Sequence, residues 1–464
     1  MNHTTESIQA VAGQVVELMK RLMPSGELAQ TAPAIVVIET TLREVLRQIG
    51  AEALGQVLSA EQGTPVAELP CACGGQVHYQ RRRSATLLSV FGRVTYTRAY
   101  YAGCGCGQGH APMDVRYGLQ PGQVTAGLAE LLTLAGVELA FEHGQRWLKG
   151  FLLFSVSENT IRQETQTSGV AQAARETMLQ QSSQDATWLQ TQLRASRPVP
   201  ERLYGSLDAA KVRIEPRDPA AKQAEYEAWR DLKVGCWYEV ESGPAAHRSR
   251  RPPTTADRPE LNLRAKDIRY YCDITDSAAF GQLMWATGCQ AQAQRVQELI
   301  FVCDGAAWIW NQIATAYPTA IQIVDWYHAA DRLDRVAHAA FTPVASREAW
   351  RERVTTLLWR GQVEQVIQEC EHLDEQLADV REAMTYFKNN AQRMRYDQFR
   401  AKGYFIGSGT VESGCKQLVT QRLKCSGAQW LVPGAVYTAK ARAAWLSGEW
   451  TPFCTRWLDL PLAV

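Results

Sequence analysis

The chain has 464 residues, of which 46% are hydrophobic and 21% charged, the balance of an ordinary globular protein with room for several cores. A formal charge of +1 excludes whole-chain basicity as a route to nucleic acid, so any such function must come from local charge asymmetry. The start MNHTTESIQAVAGQ lacks a basic, then apolar, signal pattern, and no window reaches the roughly 18 apolar residues of a membrane span; the expectation is a cytoplasmic protein with no membrane partner.

Residues 1–70 read as helical, through VVELMKRLM and VIETTLREVLRQI. At residues 71–116 the texture changes to short β-type runs, many glycines and two cysteine pairs, Cys71-x-Cys73 and Cys104-x-Cys106. Four thiolates gathered by a hairpin can make a structural zinc site; the alternative is free cysteines. Arg81, Arg82, Arg83, Arg93, Arg98 and Arg116 face Asp114 alone in this stretch, which makes it strongly positive. Residues 117–200 return to helix, in three short segments, with Ser155 and Glu158 spaced as a capping box before the third. The succession fits a helix-turn-helix or a plain three-helix packing.

From residue 201 three strand candidates follow, in RLYGSLDAAKVRI, LKVGCWYEVE and IRYYCDITD, with the loop SGPAAHRSRRPPTTADRPE between the second and third. A short helix is predicted over AQAQRVQEL, then strand LIFVCDG, helix AAWIWNQIATAY and strand AIQIVDWYH, which together imply a mixed sheet with helices on its faces. Residues 331–400 read as a charged helical insertion, residues 401–445 as the return to the sheet domain, and residues 446–464 as a tail.

Two acids interrupt buried strands at their ends, Asp208 in YGSLDAA and Asp304 in IFVCDGAAW, and an acid there is costly unless paired or bound to metal. Asp304 could instead cap the next helix. Glu412 follows the flexible GSG and precedes Lys416, Arg422 and Lys424, with Lys440 and Arg442 further on. Glu412 is either one half of a salt bridge with Lys416 or the third carboxylate of a site for Mg2+ or Mn2+. In the second case the cations behind it neutralise the phosphates of a nucleic acid. Tyr386, Asn390, Arg393, Asp397 and Arg400 recur at helical spacing, as a solvated face or as the lining of a DNA path. Trp308, Trp310 and Trp430 are core candidates, Trp430 also a surface on which a base could stack.

The combination of SLDAAKV, FVCDGAAWIW, DWYHAADRL, YFKNNAQRMRYDQFRAKG and GSGTVESGCK with RLKCSGAQW resembles the bacterial insertion-sequence transposases of the Kra group, over residues 71–445. The resemblance implies a multidomain α/β protein: a ribonuclease H-like core over 201–330 and 401–445, interrupted by the helical insertion and preceded by a zinc-ribbon-like hairpin and helix-turn-helix-like helices that bind DNA. It implies Asp208, Asp304 and Glu412 as catalytic metal ligands. It also implies a D-x-x-H element in Asp325-Trp-Tyr-His328, with His328 at the catalytic centre or, on the plainer reading, a core or capping histidine. The expected cofactors are Mg2+ (or Mn2+) and structural Zn2+. The expected partners are double-stranded DNA, both element ends and target, and further copies of the chain. Arg81, Arg82, Arg83, Arg393, Lys416, Arg422 and Lys424 are the candidate DNA contacts. The cysteine pairs are one residue tighter than the C-x-x-C usual in that group. A metal-dependent nuclease without strand transfer, or a DNA-binding regulator descended from such an enzyme, would share most of these features.

Overall fold

The computed structural model describes residues 34–60, 64–194, 198–215, 228–242 and 263–450, with seven further residues between 12 and 20. The Pro- and Arg-rich loop and the last residues of the tail lie outside that set. The chain divides into two compact units, the first reaching to Thr165 and the second spanning Gln166–Trp450. No helix among the described residues is long and apolar enough to cross a membrane.

In the first unit, helix α1 (Ala34–Ala60) precedes a sheet of β1 (Glu68–Pro70), β2 (Gln76–Ser89) and β3 (Gly92–Ala102). The two long strands form one antiparallel hairpin with a bulge between Tyr79 and Arg81. Two small cores lie at its ends: Ala85, Leu87 and Tyr96 pack with Leu58 and Met113, while Val77, Ala99 and Tyr101 pack beside Cys71 and Cys104. Between them β2 is exposed from His78 to Ser84, and this span carries Arg81, Arg82 and Arg83. The one acid of that stretch is matched to a single arginine, since Asp114 and Arg98 pair at 2.5 Å.

After α2 (Pro112–Tyr117), helices α3 (Ala126–Glu138), α4 (Phe141–Leu152) and α5 (Glu158–Ser182) share a core of Leu128, Leu132, Leu148, Val156 and Ile161. The cap of α5 is Ser157, whose hydroxyl accepts the Thr160 N–H at 3.1 Å, and not Ser155. The spacing of Ser155 and Glu158 points to the earlier serine, and the turn geometry puts the cap two residues later. The second half of α5 and α6 (Ala186–Arg194) belong to the second unit, although their sequence groups them with the preceding helices. A buried ion pair ties α5 to that unit, where Lys440 bonds Glu176 and Asp273.

The second unit is built on β4 (Arg202–Arg213), β5 (Trp229–Ser242), β6 (Leu263–Asp273), β7 (Glu298–Cys303) and β8 (Ile321–Val324). Their order is β6-β5-β4-β7-β8, with β4, β5 and β6 antiparallel and β4, β7 and β8 parallel. Parallel neighbours need crossovers, supplied by α7 (Ser277–Gln290) and α8 (Ala307–Ala316). Helix α7 corrects the sequence reading: the helix lies ahead of AQAQRVQEL, which forms turns with Gln292 at φ 66°. SAAFGQLMWATGCQ is buried on most sides, so it has no amphipathic stripe to reveal it. Strand alternation sends Tyr271 toward Phe280 of α7 and Tyr270 toward Gly414 on the other face, so helices cover both sides.

The insertion holds α9 (Trp326–Ala340), α10 (Val344–Trp359), α11 (Val363–Glu371), α12 (Ala378–Asn390), a 3-10 turn (Ala391–Met394) and α13 (Tyr396–Ala401). Trp326 sets its ring edge-on to Trp359 and Tyr396, each pair worth about 1 kcal/mol beyond its buried area. The Tyr396 hydroxyl donates to the Val324 carbonyl at 3.0 Å, tying the insertion to β8. The chain then returns through α14 (Gly409–Cys415), a π-helical turn (Lys416–Thr420) and α15 (Val432–Leu446).

Candidate metal and nucleic-acid sites

Register explains why three acids meet. β4 and β7 pair Arg202 with Glu298 and Gly205 with Phe301; three residues further the same register sets Asp208 beside Asp304. β7 and β8 pair Cys303 with Val324, and one residue further Asp304 stands beside Asp325. Asp208, Asp304 and Asp325 therefore occupy one level across three adjacent parallel strands: Asp304 and Asp325 directly follow the ends of β7 and β8, whereas Asp208 lies in the middle of β4 and not at its end as the sequence suggests, because β4 runs on to Arg213 against β5. Asp304 leaves its strand through Gly305, whose φ of 98° and whose closeness to the Tyr386 ring (a Cβ would lie 2.5 Å away) both require glycine. Its Oδ1 accepts the Ala306 N–H at 2.9 Å within the turn, but α8 starts from Ala306 with no side-chain cap, so Asp304 does not cap it.

Burial pushes the Asp208 carboxyl above the usual carboxylate range; the Ala209 N–H opposes this, the Cys415 thiol donates to it, and Asp304 raises it further. Glu412 arrives from α14. Its Oε1 lies 3.2 Å from His328 Nε2 and accepts the Ser408 hydroxyl at 2.8 Å. Asp325 is buried, and its two oxygens are spoken for: one accepts the His328 N–H at 2.7 Å and the other the Ser408 N–H. Burial pushes its carboxyl up, while these two backbone N–H groups pull it down.

The metal-ligating atoms of Asp325, His328 and Glu412 lie within 4.8 Å of one another. The expected trio of Asp208, Asp304 and Glu412 does not form such a group; Asp208 and Asp304 stand next to it, with Asp208 within the electrostatic reach of both Asp304 and His328. His328 thus belongs to the cluster and is half-exposed, not a core residue. Asp325, Ser408 and Cys415 are the contributors that sequence reasoning undervalued. Only Asp325 left a signal, an acid directly after the apolar run IQIV.

The four cysteines form a second group, their sulfurs within 4.8 Å, with Cys73–Cys104 at 3.3 Å and Cys71–Cys106 at 3.6 Å. The tight pairs close because the chain turns sharply, with the Cys71 N–H donating to the Gly75 carbonyl at 2.8 Å and the Gly107 N–H to the Cys104 carbonyl at 2.9 Å. A Cβ on Gly75 would lie 2.7 Å from the Cys104 sulfur, so this position is kept bare for the sulfurs. The Gly75 N–H, then the neighbouring thiols, hold Cys73 down to about 7, the range of a ready thiolate. The site fits a soft tetrahedral ion.

Of the candidate DNA contacts, Arg81, Arg82, Arg83, Lys416 and Lys424 are exposed, with Arg83 lying 3.6 Å over the Tyr100 ring. Arg422 is a correction: it is 2% exposed beside Trp430, and burial lowers its guanidinium to about 10, so it does not face solvent. Lys440 and Arg442 are buried as well, so the basic run behind Glu412 is half structural. Trp430 is core, its indole N–H donating to the Leu423 carbonyl at 2.9 Å. The predicted stripe is not one helix face either. α12 ends at Asn390, Tyr386 and Asn390 are buried, and Asp397 and Arg400 follow the 3-10 turn on α13. Arg393 remains partly exposed, bonded to Gln322 at 2.7 Å.

Comparison with known proteins finds no matching family model and no matching curated sequence.

Proposed function

We propose that the chain is a DNA transposase of the DDE type, cutting phosphodiester bonds at element ends and joining them to target DNA. The observation that carries this is the alignment of Asp208, Asp304 and Asp325 at one level across adjacent strands, with Glu412 and His328 gathered at Asp325. The strand order β6-β5-β4-β7-β8, three antiparallel and two parallel, supports a ribonuclease H-like core, as does a return segment that supplies an acid after a helical insertion.

Asp208, Asp304 and Glu412 would hold the divalent cation once their carboxylates, which do not form a close group here, drew in around it, with His328 beside them; carboxylate oxygens suit Mg2+ or Mn2+. Bound there, the cation would supply charge neutralisation at the reacting phosphate and activation of the attacking oxygen. The residues of the chain do the positioning. Asp325 fixes Ser408 and His328 through their backbone N–H groups, and both then bond Glu412 Oε1, so the carboxylate is set before substrate arrives. Each displacement forms one P–O bond and breaks one: water first releases a 3′-hydroxyl, which then attacks a target phosphodiester. The cysteine group would hold structural zinc, and the exposed Arg81–Arg83 span of the hairpin, with α3–α5, would meet duplex DNA.

The test uses DNA flanking the gene. Mg2+-dependent cleavage at inverted repeats there is expected, lost in Asp208→Asn, Asp304→Asn and Glu412→Gln with DNA binding retained. Strand transfer of pre-cut ends separates a transposase from a nuclease. A variant of this set that cleaves normally would remove its residue from the site.

A further inference from the structure

Next to Gly305 opens a cavity of about 720 Å3, within the range of about 300–1,000 Å3 that ligand sites occupy. Its walls come from α8, α9, α12 and the 3-10 turn, and they bring together Arg332, Arg381 and Arg393 against one acid, Glu382. Among the described residues no carboxylate lies within ion-pair distance of these three arginines, whereas Arg395 and Arg353 nearby both have glutamate partners.

Two of the three guanidinium groups are already placed. Arg332 lies 4.0 Å over the Tyr386 ring and Arg393 4.8 Å over the Trp310 ring. A guanidinium laid on an aromatic face loses little side-chain freedom on binding an anion; Arg393 keeps one terminal nitrogen for it, since its Nε and other terminal nitrogen are taken by the protein. Arg393 is fixed further by bonds to Gln322, Asn389 and Asn390. The cavity is also joined to the acids, because the Tyr386 hydroxyl donates to the Asp304 carbonyl at 2.8 Å.

We infer that this cavity seats a phosphodiester-linked nucleotide of the DNA strand running to Asp304, its phosphate held by Arg332, Arg381 and Arg393. The inference rests on the function proposed above and adds the strand's path to it. An isolated phosphate shares the chemistry. What favours the linked form is the position: Gly305 lines the cavity and directly follows Asp304, so a strand whose phosphate lies at the acids passes into it.

The test is binding of a fluorescein-labelled oligodeoxythymidylate to the full chain. Arg381 and Glu382 are exposed on α12, so Arg381→Gln and Glu382→Gln leave the fold intact, checked by unchanged melting. For Arg381→Gln the log–log salt slope is expected to fall by about 0.7, the value for one single-strand phosphate contact, which is about fivefold in affinity at 0.1 M salt. Glu382→Gln is expected to tighten binding. Wild-type affinity and slope in both variants would overturn the assignment. Displacement of the oligonucleotide by inorganic phosphate at matched ionic strength, with Arg381→Gln weakening both ligands equally, would make this a free-anion site and overturn the strand path. Loss of cleavage in Asp304→Asn with oligonucleotide binding intact supports both readings. Binding that depends on Arg381 in a protein that never cleaves DNA keeps the cavity and removes the transposase.

Discussion

Asp325 accepts the backbone N–H of Ser408, a bond across 83 positions of chain that holds the start of the Glu412 helix against the end of β8. The same carboxylate caps α9 through the His328 N–H. Asp325 thus braces His328 and, through Ser408, Glu412, and its full burial agrees with that role.

Asp325→Asn is therefore expected to act on both stability and catalysis. One amide NH2 would face a backbone donor and leave it without an acceptor, a cost of about 1–3 kcal/mol. Urea unfolding should show that loss, and cleavage should fall because Glu412 is no longer set. An Asn variant with wild-type stability would mean that Asp325 does not brace the site.

The cysteine group is expected to hold one zinc per chain, measured by metal analysis of the purified protein. Gly75→Ala places a methyl group against the Cys104 sulfur and should reduce zinc content without removing any ligand. A Gly75→Ala protein with full zinc would show that the sulfurs spread further on binding than they stand here.

Lys416, Arg422 and Lys424 should separate into two kinds. Lys416→Ala and Lys424→Ala are each expected to make the salt slope of duplex binding shallower by about 0.9, one phosphate contact. Arg422→Ala should leave the slope alone and cost about 2 kcal/mol of stability, since it empties a buried position beside Trp430. A reduced slope in Arg422→Ala would contradict its burial.

Glu364 and Arg395 give the insertion a pH dependence. The Arg395 guanidinium, bonded to Glu364, holds its carboxyl down at about 2 from an ordinary 4.5. A depressed carboxyl stabilises the fold above its unfolded value and stops doing so as pH falls through the folded one. Glu364→Gln should therefore melt lower than wild type at pH 7, by well under 1 kcal/mol because the pair is largely exposed, with the gap closing between about pH 4.5 and 2. A gap that persists at pH 2 would assign the effect to packing.

Particular residues show what could be read early. Asp208 stood out because it interrupts an apolar strand and Asp304 because it ends one, local patterns that need no knowledge of neighbours. Asp325 ends one too, yet the short β8 and the adjoining aromatic residues hid its equivalence. The stripe from Tyr386 to Arg400 had the right spacing and still failed, because spacing cannot tell a continuous helix from one that breaks at Asn390. Ser157 displaced Ser155 for a similar reason: a cap depends on where the turn begins, which packing decides.

By itself the sequence determined the strands of the second unit, the cysteine pairs, the helical insertion and the acids that break into apolar runs, since periodicity and composition act over a few residues. Only the tertiary structure decided which acids share a level, because strand register couples positions tens to a hundred residues apart. It also decided that Arg422, Lys440 and Arg442 are buried while Lys416 and Lys424 face solvent. A charge in a chain has no inside or outside until the surfaces that exclude water from it have come together.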